Sequence, residues 1–276
     1  MNDAHPPIEA VRRAVQSALE EDVLPLGDLT ASLVPAEARG RAAFTVRAPG
    51  VVAGCLCAEE AFRRVDPSVF VEWEHDDGDA VEAGTVLGRV DGPLRSILTA
   101  ERTALNFLCH LSGIATLTRR FADAAAPARI RDTRKTTPGL RALEKAAVRA
   151  GGGVNHRANL SDGILLKDNH LGGVGIAEAV KQAAERWPGR VVEVECDSLD
   201  QVREALAAGA GMVLLDNMTS EQVRECVAVV DGRIPVEVSG GITLDNVAEY
   251  RNVDYIAVGA LTHSAPVLDI GLDLEQ

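Results

Sequence analysis

The 276-residue chain carries 28 basic and 41 acidic side chains, a net charge of −13 and a pI near 4.9, which excludes a general nucleic-acid binder with its broad basic face. With 46% apolar and only 3% aromatic residues, the core is expected to be Ala, Val, Leu and Ile in a soluble globular protein. There is no apolar run of about 18 residues for a membrane span, no signal-peptide pattern in MNDAHPPIEAVRRAV, and five cysteines with no CxxC, so reduced thiols in a cytoplasmic protein are expected rather than zinc or disulfides.

PIEAVRRAVQSALEED (7–22) has helical spacing. Residues 41–92 read as short strands broken by Asp-Gly and Gly turns around a helix at AEEAFRRV (58–65). TAERTALNFLCHLSGIATLTRRFADAA (99–125) is a long amphipathic helix, or two with Gly113 as the weak point. After it, apolar strands are expected at 128–133, 163–167, 190–195, 211–216, 234–239 and 254–259. Between them lie the helices GLRALEKAAVRAG, IAEAVKQAAERW, LDQVREALAAG, TSEQVRECVAVV and TLDNVAEY. Strands apolar throughout, alternating with helices, predict a parallel sheet, doubly wound or an α/β barrel. The expected division is an N-terminal α+β domain at 1–110, a barrel domain at 111–264, and a tail at 265–276 that packs back on the first.

Parallel α/β folds place their sites at the carboxyl ends of the strands. Those ends carry Asp132, Thr133, Arg134 and Lys135, then Lys167 with Asp168, Asn169 and His170, then Glu195, then Asp216 and Asn217, then Ser239, Gly240 and Gly241, then Gly259. Arg134, Lys135, Lys167 and Arg157 of GGGVNHRANL form a cationic set suited to carboxylates and phosphates. Glu195 and Asp216 can hold a divalent cation or sugar hydroxyls, or face a developing carbocation. SGGI and VGAL have the form of backbone phosphate cradles. The set suits a carboxylate substrate, a phosphorylated substrate and positive charge forming between them, as in glycosyl or phosphoribosyl transfer.

Bland readings stand beside these. A Gly-Gly turn is often only a turn. Arg141 and Lys145, four apart with Glu144 between, read as a solvated helix face. His5, His75 and His263 lack metal-ligand spacing, His110 reads as a packed core histidine, and His170 is left open between rim support and a cap. A Schiff-base aldolase using Lys135 or Lys167, and a non-catalytic sensor of phosphorylated metabolites, are the readings from other classes.

DTRKTTPGLR, GGGVNHR, LLKDNH, VEVECDS, LLDNM, VEVSGGI and VGALTHSAPVLDIGLDL occur in the order seen in the quinolinate phosphoribosyltransferase family, and EEDVLPLGDLTASLVP and ERTALNFL also resemble it. The resemblance covers almost the whole chain. Cys196, Val238 and the LPL before GDLT depart from the usual pattern without touching a charged site residue. The resemblance implies an incomplete α/β barrel of about six parallel strands with an N-terminal α+β sandwich. It implies transfer of phosphoribose from phosphoribosyl pyrophosphate to quinolinate with loss of carbon dioxide, giving nicotinate mononucleotide for NAD biosynthesis. It further implies Mg²⁺ and a homodimer in which Arg102 reaches the neighbouring subunit's site. Arg134, His156, Arg157 and Lys167 would hold the dicarboxylate, with Thr133 beside them. Lys135 would act between quinolinate and pyrophosphate. Glu195 and Asp216 would sit by the ribose and the magnesium, and Ser239, Gly240, Gly241, Val258, Gly259 and Ala260 would surround the 5′-phosphate. A sibling phosphoribosyltransferase acting on nicotinate is the close alternative.

Overall fold

The computed structural model describes residues 4–167 and 173–275. The chain forms two compact units, one of Met1–Arg119, Thr136–Gly152 and Ala260–Gln276, the other of Arg120–Lys135 and Gly153–Gly259.

In the first unit, helix α1 (Ile8–Val23) buries Val11, Val15 and Leu19, spaced four apart on one face, and packs on α2 (Cys55–Val65). Strands β1 (Arg39–Val46), β3 (Phe70–Trp73) and β5 (Val86–Pro93) are antiparallel, and a short β2 (Gly50–Val51) pairs with β4 (Ala80–Val81). Phe44 stacks on Trp73 with centroids 5.0 Å apart and meets Phe62 edge-on at 6.0 Å. Three of the nine aromatic residues of the chain thus meet at one point of this core. Strand β5 runs straight into α3 (Leu94–Ala125).

Helix α3 is continuous through Gly113. The glycine serves a close approach instead: a Cβ there would lie 2.1 Å from the Pro266 carbonyl oxygen and 2.9 Å from the Val267 Cα. The approaching chain continues into β12 (Ile270–Leu274), which lies beside β1. We expect Gly113→Ala to cost about 3 kcal/mol or more, since backbone on both sides must move, and thermal unfolding of the variant measures it.

Helix α4 (Arg141–Ala150) also belongs to the first unit and corrects the reading of a solvated face. Glu144 is fully buried and Lys145 is 4% exposed. Glu144 accepts from the Thr137 backbone N–H at 3.1 Å and faces His110 Nε2 at 2.9 Å. Arg141 Nε donates to Thr136 Oγ1 at 3.0 Å. His110 is thus a part-exposed partner of a buried carboxylate, not an inert core residue.

The second unit holds β6 (Arg129–Arg131), β7 (Ile164–Leu166), β8 (Val192–Cys196), β9 (Met212–Asp216), β10 (Val236–Ser239) and β11 (Tyr255–Ala257). They form one parallel sheet in the order β6-β11-β10-β9-β8-β7. Their apolar runs carry the same signal from which the strands were predicted, each now one to three residues shorter. Helices α5 (Ile176–Arg186), α6 (Leu199–Ala207) and α7 (Ser220–Val230) connect them. Helix α7 has a full capping box between Thr219 and Gln222. TLDNVAEY forms only a 3₁₀ turn at Val247–Tyr250. Asn246 is the reason: its side chain accepts from Thr243 N–H at 2.8 Å and donates to the Gly241 carbonyl at 3.0 Å, competing with helix hydrogen bonds. A short α8 (Ala260–His263) follows β11 in sequence. Among the described residues no helix is long and apolar enough to cross a membrane.

Candidate active site

The six parallel strands point their carboxyl ends to one rim, where a cavity of about 580 Å³ lies within the second unit. Strands alternate their side chains, so the last inward residue of each sets the lining. Thr133, Arg134 and Lys135 follow β6, with Thr133 Oγ1 accepting from Lys135 N–H at 3.0 Å to turn the loop. Asp132, also a rim residue by sequence, does other work. It is fully buried, and it accepts from Asn155 Nδ2 at 2.6 Å and His156 N–H at 2.9 Å, fixing the GGGVNHR loop against β6.

Lys167 reaches Glu195 Oε2 in an ion pair across neighbouring strands. Asp216 Oδ2 accepts from Asn217 Nδ2 at 2.6 Å, and Asn217 takes the left-handed conformation (φ 55°) that Asn tolerates better than most residues. Ser239, Gly240 and Gly241 close the rim, both glycines having positive φ. Arg157 completes the cationic side, donating to the Gly163 carbonyl at 3.1 Å. Burial first, and the neighbouring Arg134 guanidinium second, lower its pKa. Arg134, Lys135, Arg157 and Lys167 therefore share one cavity with Glu195 and Asp216, and His156 joins them.

Asn217, named with Asp216 at the end of its strand, lines the cavity too, and Leu165, Leu214, Glu237 and Ala257 line it without having been expected. These four sit one alternation step before a strand's last rim residue, so period-two counting would have found them. Arg102 lines a different cavity, of about 650 Å³ within the first unit, with His110 and the Thr137–Leu140 turn. Val258, Gly259 and Ala260 are not among the described lining of the rim cavity, and Val258 N–H instead donates to the Arg131 carbonyl at 2.9 Å. Asp168, Asn169 and His170 lie outside the described residues.

Two groups of donors bear on metal binding. Glu195 and Asp216, from adjacent strands, offer the hard carboxylate oxygens that suit magnesium. His156, Glu193 and Glu237 place ligand atoms within 4.8 Å of one another, but Arg131 already pairs with Glu237 and His156 with Glu193, so these groups are engaged with protein partners. The Glu237 carboxyl is pushed up to about 7, by burial first and the Glu193 charge second, against the pull of Arg131 and His156. A carboxyl raised from its ordinary value of 4.5 favours the fold below that pH and loses its contribution as pH rises through about 7. We therefore expect the melting temperature of the wild type to fall with pH between about pH 5 and 8, and that of Glu237→Gln, which cannot ionise, to fall less steeply. Thermal unfolding across this range measures both slopes.

Comparison with known proteins shows the family. Residues 28–112 match the family model described as quinolinate phosphoribosyl transferase, N-terminal domain, and residues 114–273 the C-terminal domain. The nicotinate-nucleotide pyrophosphorylase [carboxylating] of Mycobacterium leprae is 46% identical, covering 96% of this chain and 98% of that one. Quinolinate phosphoribosyltransferase [decarboxylating] 2, mitochondrial, of Nicotiana glauca is 42% identical, covering 99% and 84%. The structure of the nicotinate-nucleotide pyrophosphorylase from Francisella tularensis superposes with a TM-score of 0.94 at 37% identity, covering 98% of both chains. With both domain models matched in order and relatives aligned over nearly its full length, the chain belongs to the quinolinate phosphoribosyltransferase family, the decarboxylating enzymes of NAD biosynthesis.

Proposed function

We propose that the rim cavity joins the pyridine nitrogen of quinolinate to the anomeric carbon of phosphoribosyl pyrophosphate and then releases carbon dioxide, giving nicotinate mononucleotide. The observation that carries this reading is the convergence of four fixed cations, two rim carboxylates and a Ser-Gly-Gly loop on one cavity.

Both substrates are polyanions. Two like charges 4 Å apart repel by about 4 kcal/mol in a partly screened site, so the dianion needs cations to enter at all. Arg134, Arg157 and Lys167, with His156, meet the two carboxylates and orient the ring nitrogen. The backbone amides of Gly240 and Gly241 suit the 5′-phosphate. Glu195 and Asp216 face the positive charge that develops on the ribose. The new C–N bond uses the nitrogen lone pair, and the C–O bond electrons leave with pyrophosphate, beside Lys135. No general base is needed, because that nitrogen carries no proton. The resulting cationic ring draws electrons from the bond to the adjacent carboxylate. Carbon dioxide departs, the electron pair stays on the ring carbon, and a proton from solvent completes the product.

Glu195 and Asp216 are the residues that would hold Mg²⁺, directly or through water, and the ion would supply charge to the leaving pyrophosphate. Arg102 is exposed on α3, which suits a role towards a second copy of the chain in a homodimer. The five free thiols fit a cytoplasmic protein.

The test is turnover with carboxyl-labelled quinolinate, phosphoribosyl pyrophosphate and Mg²⁺. One carbon dioxide and one pyrophosphate per nicotinate mononucleotide are expected, with nicotinate inactive as the acceptor. Nicotinate turnover without carbon dioxide release would replace this reading with the sibling reaction.

A further inference from the structure

Beneath the rim, the barrel interior carries a second polar layer. Two residues before Thr133, Glu195 and Ser239 come Arg131, Glu193 and Glu237, and the alternation of the strands turns them inward as well. Barrel interiors at this level are normally branched aliphatics. Here Arg131 pairs with Glu237 Oε2, and its guanidinium lies 3.9 Å over the Tyr255 ring. The side chains of Glu237 and Glu193 are 0% and 8% exposed. Burying carboxylates costs several kcal/mol that their partners only partly return, and apolar residues of similar size often serve stability better. Packing alone therefore does not account for this layer.

The group on which both carboxylates converge is His156. Its Nε2 lies 2.9 Å from Glu193 Oε2 and 3.8 Å from Glu237 Oε1. Its backbone N–H is fixed by buried Asp132, so the residue is anchored at both ends. A ring nitrogen facing two carboxylate oxygens must carry the hydrogen, since a lone pair there would be repelled. That leaves Nδ1 as the nitrogen for the anion cavity that His156 lines. Arg131 holds Glu237 in turn, and so keeps the second carboxylate in place.

We propose that Glu193 and Glu237 are positioning residues for the dicarboxylate substrate: they lock the His156 ring with its Nε2–H turned into the barrel, so that the Nδ1–H of the doubly protonated ring is kept to donate to a substrate carboxylate. The inference rests on the function proposed above for its substrate, but not for the state of the ring.

Two measurements test it. Nitrogen-15 NMR of the imidazoles, with His156→Gln for assignment, should show Nε2 of His156 protonated in the substrate-free wild type. An unprotonated Nε2 would overturn the proposal whatever the variants do. Steady-state kinetics should then show KM for quinolinate rising roughly ten- to hundredfold in Glu193→Leu, the loss of one charge-assisted hydrogen bond, without a matching rise for phosphoribosyl pyrophosphate. Glu193→Gln, whose amide oxygen still accepts from Nε2–H, should recover most of it. If KM for both substrates rose alike, or Gln rescued nothing, the pair would be structural only. If the wild type turned over no quinolinate, the function reading would fall while the NMR result still decided the state of the ring.

Discussion

Arg134→Ala is expected to raise KM for quinolinate by roughly two orders of magnitude with little change in the circular dichroism spectrum or melting temperature. Arg134 lies on the loop after β6, in the cavity that also holds Lys135, Arg157 and Lys167. A guanidinium offers a planar fork to a carboxylate, and losing that charge-assisted pair costs about 2–4 kcal/mol of binding, which is the range of ~30- to ~1,000-fold. The remaining cations cannot replace it, because lysine is a point charge and Arg157 already spends one N–H on the Gly163 carbonyl. The total charge of the chain does not carry the effect. Lys181→Ala, an exposed site on α5, removes the same formal charge and should leave KM unchanged. Isothermal titration with quinolinate separates binding from turnover. Wild-type affinity in Arg134→Ala would remove the cationic cluster from the proposed function.

How far the sequence discloses this arrangement depends on the range of the interaction concerned. The parallel strands are legible because a sheet buried on both faces demands continuous apolar runs, and ILL and MVLL have them. The rim residues follow from strand ends alone. Arg102 and His156 do not. They became candidates only through family resemblance, and Arg102 lines a cavity of the first unit. Gly113 looked like a break in a helix, because nothing local announces that Pro266 passes 2.1 Å from where its Cβ would be. Glu144 and Lys145 looked solvated, because helical spacing shows which residues share a face but not that a backbone N–H and an imidazole await a buried carboxylate. The lower polar layer was within reach of the sequence. Glu193 precedes Glu195 by one alternation step, yet only the carboxyl end was read as functional. What separates them is a contact with His156, 37 positions away.

The same distinction between local and distant causes governs the second large effect expected, from Gly240→Ala. Gly240 has φ +94°, in the region that L-residues rarely adopt. Strain of that kind alone costs about 1–2 kcal/mol, and Gly209→Ala, with φ +81° and open space around it, isolates that part. Gly240 differs because its Cβ would fall 2.1 Å from Asn217 Oδ1 and 2.9 Å from the Asn217 backbone nitrogen. The side chain of Asn217 holds Asp216 Oδ2, and its N–H donates to the Ser239 carbonyl at 2.9 Å. One methyl group would thus push apart the proposed phosphate loop and the carboxylate proposed to face the ribose. A displacement of about 1 Å at such a site can cost on the order of a hundredfold in rate. We therefore expect kcat/KM for phosphoribosyl pyrophosphate to fall by about two orders of magnitude or more in Gly240→Ala, while quinolinate affinity, set by the cations on the other side of the cavity, changes little. Gly209→Ala should lose stability only. Equal kinetic losses in the two variants would show that backbone strain, and not the contact with Asn217, makes this glycine necessary.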